Sequence, residues 1–469
     1  MDCALEQENS KWRLDKDYCE KSLFKLQNIK EEKETVLSQV MPHITKQVLR
    51  PPPAKPYKKD GTLSVTGCKW KKYLDERGLT WPHLVPIYVD GLIEPPNPSS
   101  PVQVKDWLFS LGWEPSTFKE VKDEWGNIKK IPQVKLQNSP DLCPSVLALI
   151  EQEPAIEELQ GLSVVNHRIG ILTGFLKNVG EDGKLKARVQ GFTNTLRFKH
   201  TEIVNLPGVD KLYGEEMRGS LICDEGNLLV GSDMRALEDL TKRHYMYPYD
   251  PEYVKEMSTP GYDPHLDLAV RAKAITEEDL QFYKECDNTK EGLGDNALTQ
   301  FKTLKKLRHL YKTTNYGATY GIREAKLSRD LRVAEKTAKA LLDAYWERNW
   351  AIKKVAEDCV VKEIGDQKWL YNPVSKFWYS LRYEKDRFST LNQGTGVYCF
   401  DLWIREFRKE RKQLTAQFHD EVILEIREKQ LKLAKKMLNK AIDKVNDILK
   451  LNIKLEIDIK SGKRYSDIH

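Results

Sequence analysis

The sequence predicts an α+β protein whose strand-rich core is interrupted by a long helical insertion. Three observations carry that expectation. Segments of helical and strand periodicity follow one another in blocks (helical, β-rich, helical, β-rich) with no internal repeat. An apolar run, Leu228-Leu229-Val230-Gly231-Ser232, ends in Asp233, and Met234-Arg235-Ala236-Leu237-Glu238 then opens a helix. Within 415–426 two further apolar runs flank His419-Asp420-Glu421 as the arms of a hairpin with acids at its tip would. The second β-rich block can therefore complete a sheet begun by the first.

Residues 4–40 carry Leu23, Leu26, Ile29, Val36 and Val40 at roughly helical spacing among many charges. Pro51-Pro52-Pro53, Pro56, Gly61 and Gly67 then predict irregular structure to about residue 68. This stretch is basic, with Lys55, Lys58, Lys59, Lys69, Lys71 and Lys72, and the Pro/Lys-rich segment extends over 42–98. The stretch EPPNPSSP at 94–101 ends it; Ser100 is a helix cap and Pro101 a first helical residue, so helices are expected at 102–111 and again at 143–178. Strands and loops are expected over 184–240, mostly helix over 262–360, and strands at 376–383 and 414–427. Leu431, Leu438, Ile442, Val445 and Leu449 predict an amphipathic helix over 429–450.

The chain has 469 residues, room for two to four domains, and a net charge of +6. So mild an excess does not define a partner. Local density says more: 301–312 reads FKTLKKLRHLYK and 405–412 reads REFRKERK, each able to track a phosphate backbone or simply to form a solvated face. The cysteines are scattered, without C-x-x-C or a neighbouring His at zinc spacing, which predicts reduced thiols in a cytosolic protein. No apolar run approaches a membrane span, and the charged N-terminal stretch lacks a signal-peptide core, so a cytoplasmic location and no membrane partner are expected.

Arg308, Lys312, Tyr316 and Tyr320 recur every four residues and so share one face of a helix. Two cations followed by two aromatic rings suit a nucleoside triphosphate, the cations on phosphate and the rings on base and sugar. A basic surface helix with core-facing tyrosines is the alternative. Asp233 at a strand end and Asp420 at a hairpin tip can meet on neighbouring strands; a helix cap and a simple turn are the alternatives. Phosphoryl transfer from a triphosphate to a sugar hydroxyl uses two hard divalent cations, and carboxylate oxygens suit them.

Together these segments resemble the family A (polymerase I-like) DNA polymerases, phage branch. A strand-end acid with Glu five residues on is matched by Asp233 and Glu238; R-x3-K-x3-Y-G-x2-Y-G by Arg308, Lys312, Tyr316 and Tyr320; H-D-E by His419, Asp420 and Glu421. Weaker matches run from about residue 4 to His469, with LEQENSKWRLD and NPSSPVQVKDWLFSLGWEP resembling the thumb region, and Arg197 and Arg218 at the family's basic positions.

The resemblance implies a right-hand fold: a helical thumb at 1–182 with 42–98 inserted, a palm at 183–243 and 386–469, and helical fingers at 244–385. It implies a template-directed DNA polymerase extending a primer 3′ end with deoxynucleoside triphosphates. Asp233 and Asp420, with the Met234 carbonyl and a further possible ligand in Glu421, would hold two Mg2+ ions, for which Mn2+ can substitute. Arg308, Lys312 and His265 would bind the triphosphate, Lys312 also serving catalysis. Tyr316 would stack at the incoming base, and Glu238 held by Tyr320 would close the space of a ribose 2′-hydroxyl. His419, Arg387, Gln393 and Arg197 would meet primer–template DNA. Ser389 departs from the family's Asn four residues before this Gln.

The thumb-like segment begins almost at residue 1, so the expectation is a chain without its own 3′→5′ exonuclease, a fragment or one half of a split replicative phage polymerase with a separate exonuclease subunit. Segment 42–98 either grips a processivity factor or is a basic loop that touches duplex phosphates or merely solvent. A single-subunit RNA polymerase and a non-catalytic DNA-binding subunit are the rival readings.

Overall fold

A computed structural model describes residues 2–123, 126–136, 141–289, 294–331, 333–411 and 414–469. The chain divides into two compact units, one of residues 24–169 and the other of residues 1–23 with 170–469.

In the first unit, Trp107, Leu108, Trp113, Leu142 and Ile156 are buried in one cluster with Leu37 and Leu162. Helix Pro101–Ser110 starts where the sequence places it, and the Ser100 side chain accepts the Gln103 N–H at 3.4 Å. Segment 42–68 differs from expectation. Ile44–Arg50 is a strand paired antiparallel with Ile87–Glu94, and helix Val65–Asp75 begins before residue 68. Ile44, Val48 and Leu49 give the strand its β-branched and aliphatic character, and the prolines act only after it ends. Trp70, Leu74, Ile87 and Val89 form a small core between this helix and the strand pair.

The second unit holds the candidate site. Its first strands, β1 (Ala187–Phe192) and β2 (Phe198–Glu202), form an antiparallel pair. Next come β3 (Asn227–Met234), α1 (Leu237–Met246), α2 (Pro264–Arg271) and α3 (Asp295–Thr319). A three-stranded sheet, Val361–Ile364, Gln367–Asn372 and Phe377–Leu381, leads into α4 (Arg387–Arg408). The chain ends with β4 (Ala416–Phe418), β5 (Glu421–Arg427), α5 (Leu431–Leu449) and β6 (Ile457–Gly462).

The central sheet runs β4-β5-β3-β6, every neighbour antiparallel, so strands from both ends of the helical insertion share it. β3 and β5 are its inner strands. Their near-continuous apolar sequence reflects cover on both faces. Val230, Val422 and Leu424 pack with Phe400, Trp403, Leu438, Ile442 and Val445 from α4 and α5. At Gly231 a Cβ would lie 2.8 Å from the Ile468 side chain, so this inner strand can accept only glycine without local movement. A second core, including Tyr253, Tyr311, Leu341, Tyr345 and Leu391, lies under the helical insertion.

Residues 1–23, expected with the thumb, belong to this unit for identifiable reasons. Trp12–Leu14 pairs with Lys184–Leu185 and with Leu221–Ile222. The buried Gln7 amide donates to the Ala187 carbonyl at 2.6 Å and accepts the Gln417 N–H at 3.0 Å. Among the described residues, no helix is long and apolar enough to cross a membrane.

Candidate functional site

The sheet register brings the two distant aspartates together. Asp233, at the end of β3, lies opposite Glu421 on β5. Phe418 pairs with Glu421, so His419 and Asp420 form a two-residue hairpin turn, with His419 at φ +50°. The Met234 N–H donates to the Asp420 carbonyl at 3.0 Å, which ties the turn to the strand end. Both aspartates line one cavity with His200, Arg218 and His419.

The electrostatics of this pair are unfavourable to two negative charges. Desolvation in the cleft, then the charges of Asp420, Glu421 and Asp458, push the Asp233 carboxyl up to about 7. Desolvation also raises Asp420. Among the described residues neither carboxylate has an ion-pair partner, whereas neighbouring Asp458 is claimed by Arg235. Two hard oxygen donors left unpaired at a cavity fit a divalent cation. Among the described residues there is no preformed cluster of three or more His, Cys, Asp or Glu, so further ligands would have to come from backbone, water or substrate.

Glu421 departs from the sequence expectation of a further metal ligand. It is buried, one oxygen accepts from Tyr465 Oη at 3.1 Å and the other lies 2.8 Å from His469 Nε2. It lies opposite Asp233 in the register and lines the same cavity, but both its oxygens are taken. Arg218 is likewise structural: it donates to the carbonyls of Pro207 and Leu206 and stacks over Tyr465 at 4.5 Å.

The expected cation–tyrosine face is one continuous helix. Arg308, Lys312 and Tyr316 lie on α3, and Tyr320 is its C-terminal cap, followed by Gly321 at φ +70°. Arg308 Nε is 2.5 Å from Asp263 Oδ2. Asp263 also caps α2, accepting the N–H groups of His265 and Leu266. The Asn315 amide lies 2.9 Å from His265 Nδ1, and the His265 and Tyr316 rings are 5.9 Å apart. Burial, then Arg308 and Lys312 against the pull of Asp263, hold His265 down at about 4, so its ring is neutral near pH 7. Lys312 makes no ion pair among the described residues, and Tyr316 is 57% exposed at the end of this face.

Glu238 joins the two halves. It sits in the first turn of α1, and its carboxylate oxygens are held separately by the Arg197 guanidinium and the Tyr320 hydroxyl. Desolvation, then the Glu238 carboxylate, push the Tyr320 hydroxyl up to about 12, with Gln393 near the same phenol. His419 and Asp420 lie close enough to feel the charges of Arg197 and Glu238. Asp233, Asp420, His419, Arg197, Glu238, Tyr320 and Gln393 are thus one neighbourhood. Arg308, Lys312, Tyr316 and His265 form the adjoining face. Arg387 stands apart, paired with Glu384 at the start of α4. Of the basic stretch 405–412, Lys412 lies outside the described residues, and Arg408 pairs with Glu6.

Four contributors were not singled out from sequence. Asp263 had a signal, because Asp-Pro before a helix marks a cap, but its grip on Arg308 is long-range. Asn315, Thr241 and Asn392 are polar residues inside helices, where periodicity alone assigns no task.

Comparison with known proteins places these features. Residues 295–467 match the model of DNA polymerase family A. DNA polymerase I of Lactococcus lactis subsp. cremoris is 23% identical over 313 residues, 62% of this chain and 32% of the relative. The DNA-directed DNA polymerase of Escherichia phage Phieco32 is 31% identical over 121 residues, 24% of this chain and 19% of that protein. The chain spans about a third of the length of the bacterial polymerases it matches. The POL domain of Pol1 from M. smegmatis, solved with DNA primer-template and dNTP, superposes with a TM-score of 0.67 at 15% identity, covering 99% of this chain and 69% of that one. The fold is therefore the α+β right-hand fold of a polymerase domain. Over residues 295–467 the chain is similar to the family A DNA polymerases.

Proposed function

We propose that this chain is a DNA-directed DNA polymerase that adds deoxynucleotides to a primer 3′ end. The observation that carries the reading is the pair of unpaired carboxylates, Asp233 and Asp420, brought side by side by the β3–β5 register and linked through Glu238 to the Arg308–Tyr320 face. Under this reading the central sheet is the palm, 244–385 the fingers, and residues 24–169 the greater part of the thumb.

Asp233 and Asp420 would hold the metals, with the Met234 carbonyl as a further donor. Two divalent cations, Mg2+ or Mn2+, would supply charge neutralisation at the attacking 3′-hydroxyl and at the departing pyrophosphate. Arg308 and Lys312 meet the triphosphate as fixed positive charges. His265, neutral and accepting at Nδ1 from Asn315, presents Nε2–H to a phosphate oxygen. Tyr316 covers the incoming base and sugar. Glu238 blocks the ribose 2′-position, since a hydroxyl there would meet a carboxylate already held on both oxygens. Arg197, held by Glu238 beside His419, borders the side where the primer–template would lie. His419 and Gln393 border the same side, Gln393 toward the duplex minor groove.

In segment 42–98 the exposed Leu49, Tyr88 and Leu92 support a protein partner such as a processivity factor rather than duplex phosphates alone. The location consistent with this chemistry is the cytoplasm.

Single-nucleotide incorporation on a primer–template, opposite each templating base, tests the function. The expected result is metal-dependent addition of the complementary deoxynucleotide. Preferential use of ribonucleotides would give the site to RNA synthesis instead, and the Glu238–Tyr320 contact argues against that. DNA binding without any incorporation would leave a non-catalytic subunit.

A further inference from the structure

Glu238 is held at three points, and only two of them are on its carboxylate. The third is Asn392 of α4, which is 3% exposed. Its amide nitrogen donates to the Glu238 backbone carbonyl at 2.8 Å, and its amide oxygen accepts from the Thr241 hydroxyl at 2.8 Å. Both bonds reach the first turns of α1, the helix whose second residue is Glu238.

That helix start is otherwise poorly secured. Ala236 precedes it in the left-handed region at φ +45°, costly for a residue with a Cβ, and no side chain caps the helix. The missing cap leaves the position of the first turn to contacts from outside. α4 supplies them through Asn392, which grips the Glu238 carbonyl and the Thr241 hydroxyl.

We propose that Asn392 is a positioning residue that sets how far Glu238 projects toward the nucleotide sugar, and so sets discrimination against ribonucleotides. The proposal rests on Glu238 acting as the sugar gate. Steric exclusion changes over fractions of an ångström, so a first turn free to recede opens the gate even with Arg197 and Tyr320 in place. Asn392 touches neither substrate nor metal site; it acts through the backbone of Glu238.

The substitution Asn392→Leu removes both bonds at similar volume. The fold has somewhere to put the loss. The Thr241 hydroxyl has the Leu237 carbonyl within 3.0 Å, and the Glu238 carbonyl sits in helix with its own backbone donor available. Asn392→Asp keeps the shape but sets an acceptor against the Glu238 carbonyl, and serves as the second variant should the leucine disturb folding.

The experiment compares kcat/KM for a deoxynucleotide and the ribonucleotide of the same base in the full chain. For Asn392→Leu and Asn392→Asp the deoxy-to-ribo ratio should fall about tenfold or more, through faster ribonucleotide addition, with the deoxynucleotide KM little changed. Glu238→Ala is run beside them. Should Glu238→Ala abolish discrimination while folded Asn392 variants keep the wild-type ratio, the positioning role is wrong and the gate survives. An unchanged ratio in Glu238→Ala removes the gate and the proposal with it. Equal loss with both sugars and a lowered Tm would make Asn392 merely structural, which also overturns the proposal.

Discussion

Without a bound cation, Asp233 should weaken the fold, and replacing it should strengthen it. Its carboxyl rises from an ordinary 3.8 to about 7, first through desolvation and then through Asp420, Glu421 and Asp458. A folded-state pKa above the unfolded one contributes stability that is complete below the unfolded value and lost as pH climbs through the folded value. The loss therefore develops between pH 3.8 and about 7. A rise of about 3 pH units corresponds to about 4 kcal/mol at 1.36 kcal/mol per unit. Asp233 is open to solvent at the cavity mouth, so screening should leave about 1–2 kcal/mol of it. Urea denaturation in chelator, followed by circular dichroism, measures this. Asp233→Asn should be more stable than the parent by about 1–2 kcal/mol at pH 8, and the gap should close toward pH 4. Adding Mg2+ should stabilise the parent alone and narrow the gap. A variant less stable than the parent at pH 8, or a difference indifferent to pH, would refute the claim that these acids repel one another in the folded state.

Three further outcomes follow from named contacts. Gly231→Ala puts a Cβ 2.8 Å from Ile468 in an inner strand and should cost about 1–3 kcal/mol, read as a lower urea midpoint with unchanged slope. Arg308→Ala removes a charge from the proposed triphosphate face and leaves Asp263 without its guanidinium. It should lower kcat/KM for every deoxynucleotide about 10- to 100-fold, the equivalent of a charge-assisted hydrogen bond, while primer–template affinity holds. His265 is held down at about 4 from an ordinary 6.5, so the folded state binds fewer protons there and stability should fall as pH drops from 6.5 toward about 4; His265→Gln should flatten that part of the stability–pH curve.

Much of this site could be read from the chain because the informative residues lie at fixed local spacings. The four-residue recurrence from Arg308 to Tyr320 needs only the helix repeat, and α3 carries it without a break. The acids at Asp233 and at the hairpin tip needed only strand ends, and the sheet brings them together. What could not be read depends on separation or register. Glu421 follows Asp420 directly and lines the same cavity, yet Tyr465 and His469, from the far end of the chain, occupy both its oxygens. Asn392 reaches Glu238 across 154 positions, and nothing local to either residue announces the contact. Segment 42–68 was obscured differently: its prolines lie between a strand and a helix, and the strand's partner, Ile87–Glu94, is distant in sequence.

The central claim is that Asp233 and Asp420 act as one metal-holding pair for nucleotide addition. Primer extension by Asp233→Asn and Asp420→Asn, each with primer–template binding measured alongside, tests it most directly. Extension should fall by about three orders of magnitude or more in both variants, with DNA affinity largely retained. Extension near the parent rate in either variant would contradict it.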